Sequence, residues 1–323
     1  MLPIRVTIRR AADLLYGYAP SSGLINTYKG VRASKCRRSR EAGTYMAEQQ
    51  IAAVSPSRHQ DFSFSRFEDY RFAATDMAAP IVGAELAQVV RTYPICFLKD
   101  DGGHFFLAAL LSVAPGKNLF VRPDTGRWMG YVPAHFRSHP FRLARHPEQQ
   151  NPVFCIDEGS EWVHDKRDVG EPIFTAEGKP TEEVEKIINF LKEVENNKSA
   201  TARAVTALAS AGVIQPWPVK TKGDHGQEQT LNNVYAVDET KFNGLDDETF
   251  IKIRHSGALP IVYSQLLSMP HIEMVMKLAE AHSKIAESGG MQPQKSQLDS
   301  LFIDDDDGLL NLEGLNFPEK DNG

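Results

Sequence analysis

An acidic side chain within an apolar stripe is the first feature of this chain that could do chemistry. Glu85 lies at the margin of a stripe formed by Val82, Leu86, Val89 and Tyr93 at helical spacing. Burial raises the pKa of a carboxyl group, and a raised pKa suits proton transfer. A buried arginine partner is the commoner outcome for such an acid. Glu85 is therefore a candidate catalytic residue, with a structural ion pair as the alternative.

Two histidines further along have the spacing of a metal-binding pair. His135 and His139 are four residues apart, which on a helix places both rings on one side, and His146 follows. Pro133 and Pro140 bracket the pair and leave little room for a helix. Since no nearby acid completes a familiar motif, we predict no metal site here.

Arginines interleave with these histidines and could form an anion-binding face. Arg137, Arg142 and Arg145 lie in the same segment, and Arg127 with Trp128 precedes it. Guanidinium groups bind carboxylates and phosphates through paired hydrogen bonds. These arginines and Trp128 are candidate ligand-binding residues, and a solvated edge is the alternative interpretation.

The usual signatures of cofactor binding and nucleophilic catalysis are missing from the sequence. Neither glycine-rich phosphate loop occurs, and the G-x-S-x-G nucleophile motif does not occur either. The three cysteines are far apart, and Cys96 and Cys155 each lie in an apolar run, which favours buried thiols over a disulfide framework or a zinc site. We expect no cofactor, and the residues favour a protein that is not an enzyme.

A helix and several short strands must position these residues in the N-terminal half. The apolar stripe predicts a helix that carries Pro80 in its first turn and ends at Pro94. Apolar runs on either side of the turn Asp100–Gly103 predict a hairpin. The predicted strands are Ile95–Leu98, Phe105–Val113, Asn118–Val121, Arg127–Val132, Phe141–Leu143 and Val153–Ile156. This pattern predicts an α+β fold, with an antiparallel sheet and a packed helix over residues 60–176.

The C-terminal half, residues 180–283, is predicted to be mainly helical. Thr181 can cap one helix and Ser199 a second, which Gly212 ends. Residues 218–230 form a polar loop, and Asn232–Val237 is one more strand that returns to the sheet. Three more helices follow, beginning near residues 246, 258 and 269.

Both ends of the chain have the composition of flexible segments. Residues 1–45 carry nine Lys or Arg against two acids, which predicts a disordered basic leader over 1–49, with Met46 as the true start. A transit peptide or a nucleic-acid-binding arm is the alternative. Residues 284–323 carry three lysines against nine acids after a Gly-, Ser- and Gln-rich linker, which predicts a flexible acidic tail.

Apolar anchors interrupt the acidic tail. Q-L-D-S-L-F at 297–302 resembles the short glutamine-leucine-phenylalanine peptides that bacterial sliding clamps bind, although the spacing differs by one residue. Leu298, Leu301 and Phe302 are therefore candidate partner-binding residues, because apolar anchors give affinity and acids steer toward a basic surface. The alternative is that they dock on their own domain.

Overall composition limits the function classes. The chain has 323 residues, 41% of them hydrophobic, and a net charge of −6. Because the middle of the chain is itself acidic, a nucleic-acid-binding core is not expected. No apolar run approaches the roughly 20 residues that span a membrane, so no membrane span is predicted. A cytoplasmic location follows, with the cell surface as the alternative.

Several dispersed motifs, in order, resemble the SapC family of bacterial proteins. The similarity covers about residues 50–283 and rests on P-I-V-G-A-E-L (80–86), Y-P-I-C-F-L (93–98), N-L-F-V-x-P-D-T-G-R-W-M-G-Y-V-P (118–133), H-P-F-R-L-A (139–144), C-I-D-E (155–158), G-E-P-I-F (170–174) and S-G-A-L-P-I-V-Y-S-Q-L-L-S (256–268). Members usually have an aromatic residue or arginine at the positions of His135 and His139, which also argues against a metal pair.

The resemblance implies a role but no catalytic residue set. The family name comes from a protein associated with a paracrystalline surface layer. Its members look like accessories of flavin-dependent tryptophan-halogenase-like enzymes and of outer-membrane nutrient receptors. We therefore expect an accessory or assembly protein with a protein partner, or a homo-oligomer. The alternatives are an enzyme with an unfamiliar site near Glu85 and the Arg137–Arg145 segment, and a surface-layer structural protein.

Overall fold

A computed structural model describes residues 50–287 except 115, 145–150 and 223–227. The predicted leader, the acidic tail with Leu298, Leu301 and Phe302, and the side chains of Arg145 and His146 lie outside the described residues. The strands are β1 Ile51–Ala53, β2 Ser63–Phe64, β3 Ala78–Pro80, β4 Ile95–Lys99, β5 Phe105–Leu110, β6 Phe141–Ala144, β7 Val153–Asp157, β8 Val163–His164, β9 Glu171–Pro172, β10 Ile214–Pro216, β11 Val219–Lys222, β12 Glu228–Leu231 and β13 Tyr235–Val237.

The α-helices differ widely in length. They are α1 Pro56–His59, α2 Leu86–Val89, α3 Ala134–Arg137, α4 Glu182–Ser210, α5 Glu239–Asn243, α6 Asp247–His255, α7 Leu259–Ser268 and α8 His271–Glu287. Every strand pairing is antiparallel, which confirms the predicted α+β class. The described chain divides into two compact units, one of residues 66–139 and 186–287 and the other of residues 50–65 and 140–185.

The first unit contains a five-stranded sheet in the order β10-β13-β4-β5-β3. The predicted hairpin forms its centre, with Ile95 opposite Ala109 and Lys99 opposite Phe105. Gly103 has φ +79° in the connecting turn, a conformation that a side chain disfavours. The predicted return of the chain to this sheet is also confirmed, because β13 pairs with β4.

Helices cover this sheet and form one apolar core with it. Leu208 of α4, Ile261 of α7 and Val275 of α8 are buried in the same cluster as Phe97 and Leu107 of the central strands. Burying apolar area at about 25 cal/mol per Å² is the main stabilising term for such a core. The sheet is therefore a rigid base for the loops and helices that carry the candidate site.

The helix predicted over residues 80–94 is much shorter than expected. Ala78–Pro80 instead pairs with β5, and Val82 keeps an extended backbone with φ −113° and ψ 157°. A single 3₁₀ turn, Gly83–Glu85, then leads into α2. Ala78–Pro80 finds its backbone partners in β5, so helical backbone begins only after Val82.

Four other predicted elements also differ. Arg127–Val132 is not a strand, because Trp128 pairs there only in an isolated bridge with Val121. The break predicted at Ser199 is wrong, because α4 runs unbroken through residues that include neither glycine nor proline. Asn118–Val121 is a turn rather than a strand, since the Asn118 side chain bonds Phe120 N at 3.0 Å and competes with a ladder. The predicted polar loop at 218–230 contains the hairpin of β11 and β12.

The second unit contains two three-stranded sheets, in the orders β1-β7-β6 and β8-β2-β9. The predicted strands near Phe141 and Val153 are confirmed and pair as β6 and β7. Phe64 and Phe141 make an edge-to-face contact with ring centroids 4.9 Å apart, and both are buried. Aromatic contacts of this kind add about 0.5–1.5 kcal/mol beyond burial, which helps a small core.

Candidate functional site

Glu85 is the centre of a hydrogen-bonded cluster in the first unit. Its side chain is only 6% exposed, because the 3₁₀ turn before α2 points it into the protein. Oε2 accepts the N–H of Val82 at 3.1 Å. Oε1 accepts the N–H of Ala134 at 2.6 Å and the hydroxyl of Tyr131 at 3.0 Å. The carboxylate therefore joins the start of α2 to the start of α3.

Arg137, one turn after Ala134 on α3, supplies the positive charge that this carboxylate requires. Its Nη2 lies 3.6 Å from Glu85 Oε1 and donates to the Tyr131 hydroxyl. The guanidinium carbon lies 5.1 Å from the Tyr131 ring centre and 5.8 Å from that of Phe190. The Arg137 side chain is 40% exposed, so the rings of Tyr131 and Phe190 contact a guanidinium group at the protein surface. The alternative that gave Glu85 an arginine partner therefore matches the structure.

A second layer of aromatic hydrogen bonds supports this cluster. The Trp128 indole N–H donates to the Tyr93 hydroxyl at 2.8 Å and to the Tyr131 carbonyl at 3.1 Å. Tyr93 is fully buried, and its own hydroxyl donates to the Tyr131 carbonyl. Gly130 lies between them with φ +80°, and a Cβ there would meet Thr92 Cγ2 at 2.8 Å. The W-M-G-Y segment is thus folded tightly around Tyr93.

The electrostatics of the cluster favour neutral tyrosines. Burial, together with the nearby charge of Glu85, raises the pKa of Tyr131 to about 12. Burial also raises the pKa of Tyr93 far above its ordinary value. Both hydroxyls therefore remain protonated at neutral pH and act as hydrogen-bond donors. Because it accepts three hydrogen bonds and faces Arg137, Glu85 is suited to holding Arg137 and Tyr131 in place.

The histidines lie in an aromatic group. His139 stacks on Phe72 with ring centres 3.9 Å apart and planes 9° apart, and His135 contacts Phe136 edge-on. Burial lowers the pKa of His139 to about 4, so the ring is neutral at pH 7. Within the described ranges, no three or more His, Cys, Asp or Glu side chains are placed to hold a metal ion.

The other predicted ligand-binding residues do not join the Glu85 cluster as a set. Trp128 belongs to it through Tyr93, whereas Arg127 is exposed beside it in sequence. Arg142 lies in the second unit, on β6 opposite Cys155. Its buried Nε has no hydrogen-bond partner among the described residues, and burial lowers the pKa of its guanidinium.

The second unit holds an ionic cluster that the sequence did not predict. Glu158 accepts two hydrogen bonds from Arg58, each 2.6 Å, and its Oε1 lies 2.9 Å from Nε2 of the buried His59. The Ser55 N–H donates to His59 Nδ1 at 3.2 Å, which places the ring proton on Nε2. The hydrogen bond from Arg58, followed by that from His59, lowers the pKa of Glu158.

Helix α7 is a further candidate site, because it buries polar side chains and exposes apolar ones. The buried side of α7 carries Gln265 and Ser268, both fully buried, between apolar neighbours. Gln265 Oε1 accepts the Val237 N–H at 2.9 Å, and Ser268 Oγ accepts the Ile95 N–H at 2.8 Å. The helix therefore uses polar groups to attach to the backbone of β13 and β4.

The outward side of the same helix is apolar. Tyr263 is 51% exposed and Leu267 is 71% exposed. Pro260 and Pro270 extend the same line at helical spacing, and both are exposed. We call these four residues the α7 outer face. At helical spacing, Gln265 and Ser268 lie opposite Tyr263 and Leu267, and the sequence alone does not tell which of the two sides is buried.

Comparison with known proteins gives a family but no characterised relative. The SapC family model matches residues 54–275. No curated protein matches the chain, and no solved structure matches it. Among the described helices, none is both long enough and apolar enough to cross a membrane. The matched range includes the Glu85 cluster, the Arg58–Glu158 pair and the α7 outer face, and because it spans more than half of the sequence, the chain belongs to the SapC family.

Proposed function

We propose that this protein is a non-enzymatic accessory protein that binds a protein partner through the α7 outer face. The observation that carries the proposal is the reversed polarity of α7, with Gln265 and Ser268 buried and Tyr263 and Leu267 exposed. Exposed apolar side chains on a regular helix are typical of docking surfaces, and tyrosine is enriched among the residues that dominate binding.

The chemistry of Glu85 supports a structural role over the enzymatic alternative. A general base must come within hydrogen-bond reach of a substrate proton, and Glu85 is only 6% exposed. The Glu85 carboxylate accepts three hydrogen bonds from Val82, Ala134 and Tyr131 and also faces Arg137. In the proposed function, Glu85 holds α2 and α3 in a fixed position relative to each other.

The partner that we propose is a flavin-dependent tryptophan-halogenase-like enzyme, and we propose that the two proteins bind in the cytoplasm. The proposal follows from membership of the SapC family and from the roles that the family resemblance implies. An apolar contact centred on one helix suits a reversible complex more than an obligate one, because obligate interfaces bury larger apolar areas.

The test measures binding to the halogenase-like flavoenzyme encoded in the same genome by isothermal titration calorimetry. The double variant Tyr263→Ser/Leu267→Ser is expected to weaken binding at least about tenfold, since both residues are apolar anchors. Ile251→Ser, at an apolar position on α6 that is 48% exposed, close to the 51% of Tyr263, is the matched control and should bind like the wild type. An unchanged Kd for the double variant would contradict docking at the α7 outer face.

A further inference from the structure

On the α7 outer face, Tyr263 contacts the Phe242 ring, with ring centres 6.3 Å apart, yet it stays 51% exposed. Leu267 is the most exposed of the large apolar side chains there, and Tyr263 lies one turn before it. A free apolar stripe favours self-association, so a cover supplied by the same chain would keep the unbound protein soluble. We propose that Leu298, Leu301 and Phe302 of the acidic tail provide this cover and compete with the partner. The inference rests on the proposed function, because it concerns the same face.

The tail begins where it can reach this face. The described chain ends at Glu287, the last residue of α8, and α8 begins directly after Pro270. Its 17 residues extend about 25 Å at 1.5 Å per residue. The eleven residues from Glu287 to Leu298 can extend about 36 Å. The chain can therefore run back along α8 and bring Leu298 to Leu267.

The chemistry of the tail matches the face that it would cover. Leu298, Leu301 and Phe302 have i, i+3, i+4 spacing, which would place three apolar side chains on one side if the segment forms a helical turn on binding. Asp304–Asp307 follow directly. Arg254 and His255 are exposed at the end of α6, just before α7, and offer the opposite charge. Apolar anchors beside acids thus meet apolar side chains beside basic groups.

The strength of such a contact suits a replaceable cover. Ordering a flexible segment costs about 2–5 kcal/mol of the interaction energy, so three anchors bind weakly as a free peptide. Tethering raises their effective concentration to the millimolar range, which is sufficient to keep the face covered in the isolated chain. A partner with a larger contact area displaces the tail.

The experiment uses the full-length chain in two forms. The wild type is compared with a tail variant, Leu298→Ser/Leu301→Ser/Phe302→Ser, whose fold should be unaffected because the family match ends at residue 275. A fluorescein-labelled peptide of residues 295–308 is titrated into each and followed by anisotropy. The tail variant is expected to bind the peptide at least about tenfold more tightly than the wild type, whose own tail competes.

Matched controls locate the binding site. Adding Leu267→Ser to the tail variant should remove peptide binding, whereas adding Ile251→Ser should leave it unchanged. Equal peptide binding by wild type and tail variant, or binding that Leu267→Ser does not weaken, would overturn the proposal. The tail variant could also sediment as a dimer and become a monomer again when Leu267→Ser is added. That result would show that the α7 outer face binds a second copy once Leu298, Leu301 and Phe302 no longer cover it.

A parallel titration with the flavoenzyme separates this inference from the proposed function. The tail variant should bind the flavoenzyme about tenfold more tightly than the wild type, because no tail must be displaced. Flavoenzyme binding that depends on Leu267 but is equal in both forms would refute the tail cover alone. Peptide binding at Leu267 without any flavoenzyme binding would refute the proposed partner alone.

Discussion

At the scale of single residues, Glu85 connects the segment before α2 with the start of α3 in the first unit. It satisfies two backbone N–H groups and one hydroxyl, and its charge is balanced by an arginine 52 residues later in the chain. Buried charges are tolerated only when they are both paired and hydrogen-bonded. The cluster meets both conditions, so removing one of its groups should lower the free energy of unfolding.

The substitution Glu85→Gln is expected to lower the free energy of unfolding by about 1–3 kcal/mol, because one carboxylate oxygen becomes an NH₂ group that faces a backbone donor. Chemical denaturation of the full-length protein measures this. Glu68→Gln, at an exposed position in the same unit, is the control and should change stability by less than about 0.5 kcal/mol. Equal stability of the two variants would show that the buried cluster contributes nothing.

His139 should make stability depend on pH. Its pKa is about 4 in the folded chain and about 6.5 when unfolded, so between these values the unfolded chain binds more protons. Stability therefore falls as the pH is lowered from 6.5 to 4, by at most about 3 kcal/mol. His139→Phe retains the stack on Phe72 and removes the titration.

Urea denaturation at several pH values compares wild type with His139→Phe. The difference between their free energies of unfolding should be constant above pH 6.5 and should shift in favour of the variant toward pH 4. Carboxylates such as Glu158 titrate in both proteins and cancel from the comparison. A difference that does not change with pH would mean that the histidine titrates equally in both states.

At the scale of elements, local patterns were enough for some predictions and insufficient for others. The β4–β5 hairpin was predicted correctly because its turn and both apolar runs are adjacent in sequence. The extent of the helix at 80–94 was not, because strand pairing of Ala78–Pro80 depends on β5 nearly thirty residues away. Likewise, Glu85 could be singled out from its stripe, but its contacts with Tyr131 and Arg137 are set by tertiary structure.

The polarity of α7 also depends on tertiary structure. A stripe of apolar residues predicts a buried side only when the opposite side is polar and solvated. In α7 the polar groups have partners inside the protein, the backbones of β13 and β4, which are distant in sequence. Hydrogen bonding to a sheet can therefore override the ordinary amphipathic rule.

A reciprocal pair of substitutions tests this reversed helix. Gln265→Leu should lower the free energy of unfolding by about 2–3 kcal/mol, because Val237 N–H and Ile95 C=O lose their buried partner. Leu267→Gln should stay within about 0.5 kcal/mol of the wild type, since that residue is exposed. Thermal and chemical denaturation measure both. A more stable Gln265→Leu protein would mean that these hydrogen bonds are dispensable.

At the scale of the whole molecule, the family match and the described elements begin close together. The SapC match starts at residue 54, and β1 begins at Ile51. β1 forms the edge of a sheet through pairing with β7, from Ile51 opposite Asp157 to Ala53 opposite Cys155. The Gln50 N–H also donates to Asp157 at 2.9 Å. The chain just before residue 54 thus contributes to the second unit.

Two deletions locate the point at which the chain begins to matter for stability. A chain of residues 46–323 should have the same thermal midpoint as the full length, because residues 1–45 precede both the family match and β1. A chain of residues 55–323 lacks β1 and its hydrogen bonds to β7, so the second unit should melt several degrees lower. Scanning calorimetry suits this comparison, because two units can unfold in separate transitions. A midpoint several degrees lower for 46–323 would place part of the basic segment in the fold, and equal midpoints for all three chains would show that β1 is dispensable.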